Sequence, residues 1–195
     1  MNLQLRPALV SFLAFSALVG MGYPLLVTGL ARVAFPHQAQ GSLIRKDGKV
    51  LGSEWIGRNF TDPRDFWGRP SATVDADGKP LPDNGANSGG SNLATSNPDL
   101  VKAVQDRATK LRAADPGNPL PIPADLVTAS ASGLDPDISP EAAAYQIHRV
   151  ALARGLDEAK VRALVDRRVE APTFGLLGEP RVNVQTLNLD LDALR

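Results

Sequence analysis

The sequence predicts an α+β protein: one N-terminal transmembrane helix, followed by a single soluble domain of mixed helices and strands. Three observations carry this. Residues 1–36 hold only two charges, Arg6 and Arg32, and residues 7–31 hold none. Three later segments repeat apolar residues at helical spacing, each opened by a side chain suited to capping. Short runs with turn signals or alternation lie before and after them, as strands do. Intermixed elements over roughly 155 residues suit packing around one core.

The apolar run comes first. Ala8 to Ala31 would rise roughly 36 Å as a helix, enough for a hydrocarbon core of about 30 Å. Its apolar length exceeds the about 7–15 residues of a signal-peptide core, so it reads as an uncleaved anchor. Gly29-Leu30-Ala31 has the small-x-small form of a cleavage site and keeps the processed alternative open. Gly20, Gly22 and Gly29 leave smooth faces on which another helix can approach closely in lipid. Pro24 removes one backbone donor and predicts a kink. Arg6 on one flank faces Arg32, Arg45, Lys46 and Lys49 on the other, so charge bias leaves orientation open and leans toward a cytoplasmic C-terminal part.

The organisation that follows is a tail at 1–7, an anchor at 8–31, a juxtamembrane link at 32–40 and a soluble domain at 41–195. Residues 42–52 read as a hairpin, with Asp47-Gly48 between the apolar pairs Leu43-Ile44 and Val50-Leu51. A strand is expected near Trp55–Phe60. Residues 75–97 form a long loop, of the length that is usually functional or mobile. Asn97 and Pro98 open a helix with Leu100, Val101, Val104, Ala108 and Leu111 on one face. Ser139 and Pro140 open the next, striped by Ala143, Ala144, Ile147, Val150 and Ala151 and ended by Gly155. Asp157 caps a third, with Val161, Leu164 and Val165 inward. The tail RVNVQTLNLDL alternates as a strand, with a parity change between Val184 and Leu187 that asks for a bulge or an early end.

Composition narrows the chemistry. At 195 residues and 20.7 kDa the chain has room for one ordinary domain and an appendage. Lys+Arg and Asp+Glu are 21 each, so no broad basic surface is offered to nucleic acid. The absence of cysteine excludes disulfides, thiolate metal sites and a cysteine nucleophile. Only His37 and His148 are available to a histidine-dependent hydrolase, and His148 reads as a half-exposed surface residue.

Ser88-Gly89-Gly90-Ser91-Asn92 has the glycines of a phosphate-binding loop but not the Gly-Lys-Ser/Thr of a Walker A sequence. It reads as a loop ordered by Asn and Ser side chains, or as a docking segment. Thr128–Ser139 gathers hydroxyls and aspartates without a nucleophile elbow. Asp135, Asp137 and Glu141 lack calcium-loop spacing, as does Asp75-Ala76-Asp77-Gly78; turn chemistry explains both. Phe66-Trp67-Gly68-Arg69-Pro70-Ser71 joins residue types that serve equally as an interface or as core. Gln146, one turn after Ala142, carries no chemical signal alone. The residues thus describe an anchored accessory subunit rather than a self-contained enzyme.

Six strings, in order, resemble one family over essentially the whole chain: GSLIRKDGKVLGSEWIG, FWGRPSA, SGGSNL followed by SNPDL, DLVTASASGLDPDIS, QIHRVALARG and LLGEPRVNVQTLNL. With the single N-terminal span, they resemble the C subunit of the Kdp-type potassium-transporting ATPase. The loop before SGGSNL departs from the family's shorter, tyrosine-containing form, and Gln185 stands where leucine is expected.

The resemblance implies a bacterial inner-membrane complex. Its other members are a potassium-selecting channel-like subunit, an ATP-hydrolysing P-type subunit and a small subunit. It also implies that the soluble domain is extracytoplasmic, against the lean of the charge count. The role expected on that basis is non-catalytic: stabilising and capping the potassium-selecting subunit. The alternative carried by the family is a catalytic chaperone raising ATP affinity, with Gln146 contacting nucleotide. A remote alternative is a freestanding anchored hydrolase using Asp135, Asp137 or Ser132. No cofactor is expected on this chain itself; ATP enters only through the complex. Partner-contact candidates are Gly20, Gly22 and Gly29 in the anchor, Trp67 and Arg69, and Ser88, Gly89, Gly90, Ser91 and Asn92.

Overall fold

The structure, a computed structural model, describes residues 4–194 and divides after Ser53 into two compact units. The first unit is led by helix α1, Leu5–Ala17, which runs through a π turn, Leu18–Gly22, into α2, Tyr23–Ala34. Together they form 30 residues long and apolar enough to cross a membrane, and none of the most apolar stretch is buried within the chain. The helix extends beyond the expected 8–31 at both ends. The expected kink at Pro24 takes the form of the π turn just before it. In a regular helix the Pro24 ring would crowd the Gly20 carbonyl; the wider pairing, with Tyr23 N–H donating to Leu18 O, opens the backbone there.

The expected link at 32–40 is largely helical as well, since α3, Pro36–Ala39, follows Phe35. The hairpin forms where the Asp-Gly signal places it: β1, Leu43–Lys46, pairs antiparallel with β2, Lys49–Ser53. Asp47 and Gly48 take φ of 52° and 75°, the left-handed values a type I′ turn requires.

The second unit is the α+β domain. Helix α4, Pro98–Ala114, is followed by a short 3₁₀ turn, Ala124–Leu126. Next come β3, Asp137–Ile138; α5, Pro140–Arg154; α6, Glu158–Arg168; β4, Val169–Glu170; β5, Arg181–Asn183; and α7, Val184–Ala193. The three strands form one antiparallel sheet with β5 in the middle. The caps are those the sequence indicates: the Asn97, Ser139 and Asp157 side chains accept from Asp99, Ala142 and Ala159 N–H. Each such cap contributes about 1 kcal/mol. Gly155, at φ 64°, takes the left-handed position that ends α5.

Helix α5 is buried on most of its circumference, through Ala142, Ala143, Tyr145, Gln146, Ile147, Arg149, Val150 and Ala151. The core closes on it from Val161, Leu164 and Val165 of α6, Val182 of β5, and Leu187 and Leu191 of α7.

Three expectations are corrected. No strand occupies 55–60, which runs as turn and irregular backbone. The tail is a strand for three residues only; from Val184 it is helix α7, capped by Asn183 accepting from Thr186 N–H at 3.1 Å. Val184, Leu187 and Leu191 share one side of that helix, so of the two outcomes the parity change asks for, the early end of the strand occurs and the bulge does not. On α4, Val101 is 48% exposed while Leu111 is buried, because 101 lies a full position off the inward row 100-104-108-111.

Candidate functional site

Two of the strings singled out in the second unit, FWGRPSA and QIHRVALARG, meet at α5. The main chain of Phe66 and Trp67 is gripped by two side-chain amides. Asn188 Oδ1 accepts from Phe66 N–H at 2.8 Å, and its Nδ2 donates to Phe66 O at 2.9 Å. Gln146 repeats this one residue on: Oε1 accepts from Trp67 N–H at 2.8 Å and Nε2 donates to Trp67 O at 3.0 Å. An irregular segment thereby receives the pairing a strand neighbour would give it. Gln146 is 1% exposed. Its remaining capacity is taken by Ala142 O at 3.2 Å and by Arg149 Nη2 at 2.7 Å.

Arg149 completes the clamp. It is buried, its guanidinium lies 4.1 Å from the centre of the Trp67 ring, and it donates to Pro63 O and Asp65 O. Burial lowers its pKa to about 10 against the pull of Asp115, Asp65 and Asp62, so it remains a cation at neutral pH. Neither Asn188 nor Arg149 was singled out from the sequence. The available signal was a polar residue at an inward helical position, as Gln146 is between Ala143 and Val150.

The glycine-rich segment is occupied by its own fold. Gly89 N–H donates to Ser132 O at 2.8 Å and Ser88 Oγ donates to the same carbonyl at 3.0 Å. A Cβ at Gly90 would sit 2.9 Å from Ala131 O, and one at Gly133 2.4 Å from Thr73 Cγ2, so these glycines permit close backbone approach. Ser71 ties the layers by donating to Gly133 O at 2.7 Å and accepting from Asp83 N–H at 3.0 Å. Ser91 and Asn92 remain exposed, Asn92 at φ 52°. The long loop is held by side chains too: Asp75 Oδ1 accepts from Asp77 and Lys79 N–H, and Asn84 Nδ2 donates to Val74 O at 2.7 Å.

Arg69 pairs with Asp135 at 3.0 Å, and Asp135 also accepts from Asp137 N–H. Asp137 pairs with Arg181 at 3.2 Å. Ser132 Oγ accepts from Leu134 N–H at 3.1 Å. These contacts are turn and ion-pair chemistry. Among the described residues no group of three or more His, Asp or Glu is placed to hold a metal. His148, with its side chain 51% exposed, has Nδ1 2.7 Å from Asp115 Oδ1, and that hydrogen bond raises its pKa.

The structure therefore brings Trp67, Arg69 and Gln146 into one region and sets Ser88–Gly90 against Ser132. Gly20, Gly22 and Gly29 lie in the other unit; a Cβ at Gly20 or Gly29 would meet nothing within 4 Å in the chain.

The family model described as K+-transporting ATPase, c chain (KdpC) matches residues 5–193. Relatives named potassium-transporting ATPase KdpC subunit are similar over nearly full length. That of Polaromonas naphthalenivorans is 60% identical over 191 residues, 98% of this chain and 95% of its own. That of Sorangium cellulosum is 58% identical over 98% of both chains. That of Variovorax paradoxus is 59% identical over 99% of this chain and 97% of its own.

Proposed function

This chain belongs to the KdpC family, the C chain of K+-transporting ATPases, and from that premise we propose that it is the non-catalytic, single-span subunit of a bacterial Kdp potassium-uptake complex. The helix Leu5–Ala34 anchors it in the inner membrane. The domain stands on the extracytoplasmic side, where it stabilises and caps the potassium-selecting subunit. The ATP-hydrolysing and small subunits complete the assembly.

What supports a structural role over a nucleotide-binding one is the state of Gln146. Its amide is buried, and both of its ends are engaged with Trp67, Ala142 and Arg149. A nucleotide that reached it would have to break those bonds, each left-over buried group costing about 1–3 kcal/mol. Gln146 acts here as a brace for the Phe66–Ser71 segment, which carries the partner-contact candidates Trp67 and Arg69.

The test is Gln146→Ala in the purified complex, with ATPase kinetics. A brace predicts a domain destabilised by about 2–4 kcal/mol and less complex recovered, with KM for ATP unchanged in what assembles. A full yield of complex with KM for ATP raised about ten-fold would establish the ATP-loading role instead.

A further inference from the structure

Beside Trp67 lies a cavity of about 240 Å³, between the 58–71 segment, the 82–83 turn and α4. Its charged lining is Arg58, Arg69, Arg107 and Lys110, against one carboxylate, Asp83. Arg69 has Asp135. The other three cations have no carboxylate partner among the described residues. Arg58 rests 5.4 Å from the Phe60 ring centre and Lys110 5.1 Å from that of Trp67, so both are positioned by ring faces and keep their charge available. Arg107 is partly buried, donates Nη1 to Val127 O at 2.8 Å, and has its pKa lowered by desolvation. Four cations line one cavity against a single carboxylate, and an anion placed among them gains a Coulomb attraction that Asp83 alone does not supply.

We propose that this cavity binds a phosphate-type oxyanion. Guanidinium donors match the edges of such a group, and Lys110 adds a compact point charge beside them. The cavity is smaller than the roughly 300–1,000 Å³ of sites that enclose drug-sized molecules, so it suits a phosphate group rather than a whole nucleotide. Gln146 does not line it. The same chemistry is presented by free inorganic phosphate and by the headgroup of an anionic phospholipid. Among the charged groups of the lining, four are Arg or Lys; only Asp83, with its pKa pushed up to about 6 by burial, titrates in mild acid. Its negative charge above that pH opposes the ligand, and its protonation below it removes the opposition.

The experiment uses the full chain in neutral detergent, with Trp55→Phe so that Trp67 alone reports by fluorescence. Inorganic phosphate and sulfate are titrated first, then nanodiscs of phosphatidylglycerol against phosphatidylcholine. The expected result is saturable binding that weakens at least about ten-fold in Arg58→Gln/Lys110→Gln, a pair of exposed residues whose replacement leaves thermal unfolding unchanged. Sulfate keeps its charge in this range, so its affinity is expected to rise from about pH 7 to about pH 5 and to lose that dependence in Asp83→Asn. Saturation by free phosphate identifies the soluble ion as ligand; saturation only by phosphatidylglycerol nanodiscs identifies the headgroup. A response equal to that of chloride, or one the double variant leaves intact, overturns the proposal.

Discussion

Gln146 and Asn188 stand on different helices, α5 and α7, and each closes a two-point hydrogen bond on the main chain of one of two adjacent residues, Trp67 and Phe66. Such pairing is worth most where water is absent, because each amide then replaces solvation that nothing else supplies. Gln185 shows the converse. It is 3% exposed, and neither its Oε1 nor its Nε2 has a hydrogen-bond partner among the described residues. Gln185→Leu is therefore expected to stabilise the domain by about 1–3 kcal/mol, read as a higher Tm of the full chain in detergent; an unchanged or lower Tm would show that the amide is satisfied. At this scale the sequence was partly legible. The position of Gln185 was conspicuous because leucine is expected there. The purpose of Gln146 was hidden, because its partner is backbone 79 residues away and backbone leaves no mark in composition.

At the scale of elements, the local signals that succeeded were those whose physics is local. Caps at Asn97, Ser139 and Asp157 and the Asp47-Gly48 turn depend only on neighbouring residues. The C-terminal segment failed because Val182 and Val184, then Leu187, Leu189 and Leu191, read as two alternating runs, whereas Val184, Leu187 and Leu191 also satisfy a helical period. Asn183, whose Oδ1 caps α7, and the pairing of β5, which stops at Asn183, decide between them. The anchor offers a sharper test. Gly29 lies in α2, seven residues after Gly22, the last residue of the π turn. A Cβ at Gly29 meets nothing within 4 Å inside the chain, so the effect of Gly29→Leu is expected to come from its surroundings. The account predicts reduced co-purification of the other subunits in mild detergent, with the isolated chain as stable as before. Undiminished co-purification would remove that face from the contact.

For the whole molecule, the residues beyond position 36 carry a net charge of −2, too little to draw potassium to an entrance by long-range attraction. The proposed role is accordingly mechanical, a domain braced from within and tethered by one span. Its fold class was evident from the uncharged run and the alternation of periods. Side of the membrane was not, because Arg6 and Arg32 flank the span almost evenly. Everything that separates capping from ATP loading depends on that side, since a domain outside the cytoplasm cannot touch cytoplasmic ATP. The absence of cysteine makes single-site labelling clean. Ser42, 1% exposed, is a poor site, whereas Ser132 and Lys79 are exposed. Ser132→Cys and, separately, Lys79→Cys in the assembled complex should react with a membrane-impermeant maleimide added to intact cells. Protection of both until the cells are lysed would place the domain in the cytoplasm and contradict the capping account.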